Sequence, residues 1–275
     1  MLQKTKTPLI PLLLLSTLLF LLYHRTFIWL VNEWLTNPYY SHGFLIPPVS
    51  LFIAWLRRKE ADARDRKFKG ASAILGFGLL ILVIGFLYGM NVVVALSLIP
   101  VTIGLLLHLC PSKKKTIVFP LLFLFFAVPI PIERAGFALQ TISASASASL
   151  LSSLGLNVSR HGVQLCLENG SFFVGEPCSG MQTLVSLLAL AALLAYFMHC
   201  CLIKKLSLFF SAIPLAVTAN TFRLCTIIIV FAACLSGNTN TVLLFHALSS
   251  ILMFGFALVL FISSAKLLKC EVMLR

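Results

Sequence analysis

Long apolar runs, broken by short loops rich in lysine and arginine, constrain this chain more than any other feature. A helix needs about 20 apolar residues to cross a bilayer core, and fewer where neighbouring helices shield it. On that rule eight spans are expected, at 8–30, 43–56, 71–89, 92–109, 116–131, 180–200, 206–234 and 242–265. Backbone groups in hydrocarbon must satisfy one another, so such runs fold as helices. The expected fold class is an all-α polytopic membrane protein with about eight transmembrane helices, forming one domain over 1–275. With 60% hydrophobic and 11% charged residues, the bulk composition excludes an ordinary soluble domain. Pro47 and Pro48 are expected to distort the short second span. The first apolar run is long and lacks a small-residue cleavage site, so it is expected to stay as an anchor.

A net charge of +13 suggests nucleic acid until the charges are located. With the N-terminus inside, seventeen of the 21 basic residues face the cytoplasm. They are Lys4 and Lys6, seven residues in 57–69, Lys113 to Lys115, Lys204 and Lys205, and Lys266, Lys269 and Arg275. Arg25, Arg134, Arg160 and Arg223 fall at or near the outer face. The positive-inside rule selects this orientation, with both termini cytoplasmic. No nucleic-acid partner is expected; the partner of the surface is the lipid bilayer.

The long outer segment is then 132–178. Its first half, Gly136 to Leu154, contains Ser-Ala-Ser-Ala-Ser-Ala-Ser, small residues that allow close helix approach in an interfacial or half-buried helix. A flexible linker is the alternative. Its second half alternates loosely, and Val163 to Leu167, then Asn169-Gly170, then Phe172 to Val174 fits a β-hairpin leading into the sixth span.

The eight cysteines show no CxxC pair and no zinc-ligand spacing, so neither a metal nor another cofactor is expected. Most read as small hydrophobes. Cys166 and Cys178 share the outer segment, so a disulfide between them is conceivable, although free thiols are the expectation.

Cys178 stands apart from the other cysteines because of its neighbours, Gly-Glu-Pro-Cys-Ser-Gly at 175–180, directly before an apolar helix. Unpaired N–H groups and the positive end of that helix favour a thiolate. Pro177 suits a helix start, and Ser179 and Gly180 let a substrate approach the backbone. Arg223 is the second costly residue. Counting from Leu206 at about 1.5 Å per residue, a core of about 30 Å ends roughly at residue 226, which puts Arg223 just inside the outer leaflet. An unpaired cation costs roughly 2.5–3.5 kcal/mol at mid-membrane. Asn220, three residues earlier, lines the same helix face. His246 is the third residue, near the outer end of the last span. Together they supply a thiol nucleophile, a cation for an oxyanion and a proton carrier. No aspartate in a span is available to orient the histidine, so this is no Ser-His-Asp triad.

Several stretches together resemble the exosortase and archaeosortase family of membrane cysteine transpeptidases. They are Tyr40-Ser-His-Gly-Phe-Leu-Ile-Pro after the first span, Glu176-Pro-Cys-Ser-Gly-Met, Ile213-Pro-Leu-Ala through Asn220-Thr-Phe-Arg223, and His246. The likeness covers roughly 34–262. It implies Cys178 as nucleophile, Arg223 as oxyanion or substrate stabiliser and His246 as general acid and base. Asn220, Ser179, Gly180 and His42 are implied as supporting residues, His42 within Tyr39 to His42 of the first outer loop. It also implies secreted substrate proteins with a C-terminal motif, apolar span and basic tail, cut at the outer side of a bacterial or archaeal cytoplasmic membrane. The acyl group then passes to an unidentified acceptor, in association with exopolysaccharide systems. Pro177 before the cysteine and the late Gly255 depart from the family pattern.

Two other readings make different predictions. An intramembrane serine hydrolase or acyltransferase, using Ser179 or His246 with another nucleophile, predicts that Cys178→Ser keeps activity. A non-enzymatic polysaccharide export or assembly protein predicts deep charges in several spans and an internal repeat, and the sequence has neither.

Overall fold

A computed structural model describes residues 9–58, 70–110, 114–167, 170–175, 178–233, 239–268 and 271–272. The protein is mostly helical, and the chain divides into two compact units, Met1–Ile130 and Pro131–Arg275.

The first unit opens with α1 (Leu9–Thr36), followed by a 3-10 helix (Pro38–Phe44) and α2 (Ile46–Leu56). Asn37 starts the 3-10 helix by accepting the Tyr39 N–H at 3.0 Å. Pro47 and Pro48 do not distort the second span as expected. They occupy the first turn of α2, where a helix has no use for the missing N–H and the fixed φ is favourable.

Helices α3 (Ala71–Leu87) and α4 (Asn91–Leu109) form a tight hairpin through glycines. A Cβ on Gly78 would lie 2.7 Å from Val101 N, and one on Gly104 would lie 2.8 Å from Leu75 Cα. Close backbone approach through small residues is how helices gain packing energy where lipid removes the hydrophobic drive. The run expected at 116–131 forms α5 (Lys114–Phe123) and a 3-10 turn (Leu124–Ala127). It stops at Val128, which is extended because Pro129 follows. Side chains tie this segment down: Trp34 Nε1 donates to Ala127 O at 2.7 Å, and Tyr40 donates its hydroxyl to Ile130 O.

The second unit contains α6 (Glu133–Ser153), α7 (Met181–Phe197), α8 (Leu202–Ala233) and α9 (Thr239–Leu267). Between α6 and α7 lies an antiparallel sheet of β1 (Val158–His161), β2 (Gln164–Leu167) and β3 (Gly170–Phe173), in the order β1-β2-β3. Two further two-residue strands pair, β4 (Met198–His199) with β5 (Glu271–Val272).

The low-complexity Ser-Ala stretch is not a linker. It lies within α6, and Gln140, Ser143, Ala144, Ser147 and Leu151 form a buried stripe at helical spacing. Their small volume lets α6 meet α8 closely. Ser147 Oγ donates to Thr221 O at 3.3 Å, and Cys225 Sγ donates to Ser147 O at 3.9 Å.

The expected hairpin is present but incomplete. Strand β1 adds to it through a turn at Gly162, whose φ of +64° is the left-handed geometry that a short hairpin connection takes. Leu167 pairs with Gly170, so Gly170 belongs to a strand rather than to the expected turn, and positions 168 and 169 lie outside the described residues. Leu151 of α6, Leu165 of β2, Val174, and Leu224 and Ile228 of α8 form one buried core, and Cys178 belongs to it.

Among the described residues, three helices are long and apolar enough to cross a membrane: Leu13–Thr36, Asn91–Leu109 and Leu202–Val230. Shorter apolar helices cover Ala71–Leu87, Thr116–Ala127, Met181–Phe197 and Ile251–Leu267. Large apolar side chains stand outward along them, including Leu21 at 63%, Phe77 at 60% and Leu87 at 77% exposure. Contiguous apolar surface of this kind suits lipid and would aggregate in water.

Candidate active site

Cys178 is the last buried residue of the core before α7 begins, with 4% of its surface exposed. Its N–H donates to Gly175 O at 2.9 Å, and its carbonyl accepts from Asn220 Nδ2 of α8 at 2.7 Å. Glu176 and Pro177, singled out in the sequence, lie outside the described residues. Gly180 caps α7 with φ +79°, a conformation that L side chains rarely adopt. The close approach that this glycine permits is to Asn220. A Cβ there would lie 2.9 Å from both Cβ and Cγ of Asn220. Ser179 is 2% exposed, and its Oγ accepts the Met181 N–H at 3.2 Å. That hydroxyl therefore serves the first turn of α7.

Arg223 follows Asn220 by three residues, on the same face of α8, and is 8% exposed. Its charge acts on the Cys178 thiol. Burial pushes that thiol above its ordinary range, and the Arg223 guanidinium draws it back by a smaller amount. The helix-terminus argument from sequence anticipates a thiolate. The structure reverses the balance, because the sulfur sits in an apolar core where desolvation outweighs the nearby charge.

A cavity of about 310 Å³ opens beside these residues. Gly180 at the cap of α7, with Gln182, Thr183 and Ser186 of that helix, forms one wall, Asn220 and Arg223 of α8 another, and Ile251, Met253 and Phe254 of α9 the third. His246 belongs to α9, and its side chain lies outside the described residues. Its position is seven residues before Met253 in the same helix. Cys178, Ser179, Gly180, Asn220 and Arg223 thus converge at the start of α7. Position 246 belongs to the helix that closes the cavity.

His42 lies in the first unit, within the 3-10 helix Pro38–Phe44. Burial pushes its imidazole below the usual histidine range, opposed by the main chain of Phe126 and Tyr39, although neither ring nitrogen makes a hydrogen bond of normal geometry. Neighbouring Gly43 packs directly under Trp34, where a Cβ would collide with the indole. Cys166 and Cys178 are both free thiols.

Sequence reasoning placed Asn220 beside Arg223 but missed its partner. Asn220 reaches the turn at Cys178 across 42 residues of chain, a contact with no local signature. Four further contributors were missed. Gln140 donates from α6 to Val174 O and steadies the segment leading to Cys178. Gln182, Thr183 and Ser186 line the cavity, and their polar side chains early in an apolar run were a visible signal.

No curated protein and no solved structure matches this chain. The sequence pattern of the transmembrane exosortases matches residues 34–263, which include every residue gathered at the cavity as well as His42 and position 246. The chain belongs to the transmembrane exosortase family.

Proposed function

We propose that this protein is a membrane cysteine peptidase and transpeptidase that cuts secreted proteins near a C-terminal motif, apolar span and basic tail. His246 takes the Cys178 thiol proton, and the thiolate attacks the scissile carbonyl carbon, forming a C–S bond and an oxyanion. Arg223 stabilises that oxyanion where little water competes. The C–N bond breaks as His246 protonates the leaving amine, and an acyl thioester remains on Cys178. His246 then takes a proton from the acceptor's nucleophile, which attacks the thioester and frees the sulfur. Ser179, Gly180 and His42 act as supporting residues. The reaction needs no metal or other cofactor.

The observation that carries this reading is the meeting of Cys178 with the Asn220–Arg223 face of α8 beside a cavity. The family supports the same chemistry. Eight spans with both termini in the cytoplasm put the start of α7 and position 223 at the outer side of the cytoplasmic membrane. The distribution of lysine and arginine supports that topology.

The test co-expresses wild type or Cys178→Ala with a secreted protein of the same genome that carries the motif, span and basic tail. Intact mass and membrane retention of that protein are read. Removal of the tail by wild type alone supports the reading; equal processing by both proteins overturns it.

A further inference from the structure

Both backbone polar groups of Cys178 are engaged, one locally and one at long range. The local bond to Gly175 O shapes the turn. The long-range bond, from Asn220 Nδ2, is the tie that the turn makes to α8 at the level of Cys178. Asn220 is 4% exposed and packs against Gly180, so its amide has little freedom to turn away. One helical turn further along α8 stands Arg223. A single helix therefore carries both the group that holds the Cys178 backbone and the charge that acts on its sulfur.

We propose that Asn220 is a positioning residue that pins Cys178 to α8 and so fixes the sulfur relative to Arg223 and the cavity. The inference rests on the reading of Cys178 as the nucleophile. Without the amide, the Cys178 carbonyl loses its bond to α8, and the turn is released to move outward. Movement outward exposes the sulfur and separates it from Arg223. Loss of the tie thus makes Cys178 easier to reach and less able to catalyse, two effects of opposite sign.

The experiment uses the full-length protein in lipid nanodiscs, as wild type, Asn220→Ala and Asn220→Asp. Aspartate keeps the shape that packs against Gly180 but, ionised beside Arg223, offers no N–H. One readout is iodoacetamide labelling of Cys178, followed by peptide mass spectrometry, with Cys225 of the same core as internal reference. The other is kcat and KM on the secreted substrate. Both variants are expected to raise Cys178 labelling relative to Cys225 by about tenfold or more, and to lower kcat by a similar factor with KM unchanged. Three results overturn the proposal: Asn220→Asp behaving as wild type does, labelling of Cys225 that rises in step with Cys178, or a raised KM with kcat intact. Labelling needs no substrate, so a wild type that processes nothing defeats the transpeptidase reading while the labelling arm still judges the tie.

Discussion

Gly180 and Asn220 are in such close contact that neither tolerates a larger partner. A Cβ on Gly180 would come within 2.9 Å of two Asn220 side-chain atoms, and Gly180 sits at φ +79°. Gly180→Ala therefore meets a steric and a conformational penalty together. It is expected to destabilise the second unit by about 2 kcal/mol or more and to lower processing at least as far as Asn220→Ala. Denaturant titration in detergent, paired with the tail-removal assay, checks both parts.

On the proposed mechanism Arg223 acts in two ways, and Arg223→Gln separates them. Loss of an oxyanion-stabilising group is expected to lower kcat by roughly 100–1,000-fold. The second effect is electrostatic. Arg223 lowers the pKa of a thiol that burial has raised, so its removal shifts the Cys178 titration to higher pH. The pH profile of Cys178 alkylation should move in the alkaline direction. A profile that stays in place would show that the charge does not reach the sulfur.

The α3–α4 hairpin of the first unit offers a test remote from the chemistry. Gly104→Leu places a large side chain where Leu75 Cα already lies 2.8 Å from a bare Cβ. Backbone must move, at an expected cost of about 1–3 kcal/mol. Gly76→Leu, on the same hairpin with nothing within 4 Å, should be silent. Thermal unfolding of the two variants in detergent distinguishes them.

Ser147→Leu addresses the packing of α6 on α8. The residue is fully buried, and its hydroxyl donates to Thr221 O. Overpacking here should loosen the core that holds Cys178 and raise its labelling, whereas Ser145→Leu on the exposed face of α6 should not. Peptide-level alkylation rates report the difference.

The helical runs were legible because hydrocarbon leaves a polypeptide few options, and each of the eight expected runs is helical over most of its length. Helix α6 was harder to read. Serine and alanine are nearly neutral in hydropathy, and the helix is buried by small size rather than by apolar area. Strand β1 was missed because Val158 to His161 is four residues long and mostly exposed. At the site, Cys178 and Arg223 were visible as costly residues in unusual settings. The burial of the sulfur was not, since it depends on Leu151, Leu165 and Leu224, which approach from three separate elements. The role of Asn220 was half visible: the helical period put it beside Arg223, but nothing in the sequence pointed to the carbonyl of residue 178.

Because Cys178 is packed into the same core as Val174 and Leu165, a thioester on its sulfur would be walled off from bulk water on that side. Lifetime then becomes a property of packing. On the proposed mechanism an acyl group held in a dry wall would wait for an acceptor entering through the cavity, and the ratio of transferred to hydrolysed product would follow from how well the sheet seals against α8. Val174→Ala, which thins that seal without touching the reacting groups, should shift product from transfer toward hydrolysis, and intact mass of the released protein reads the shift directly.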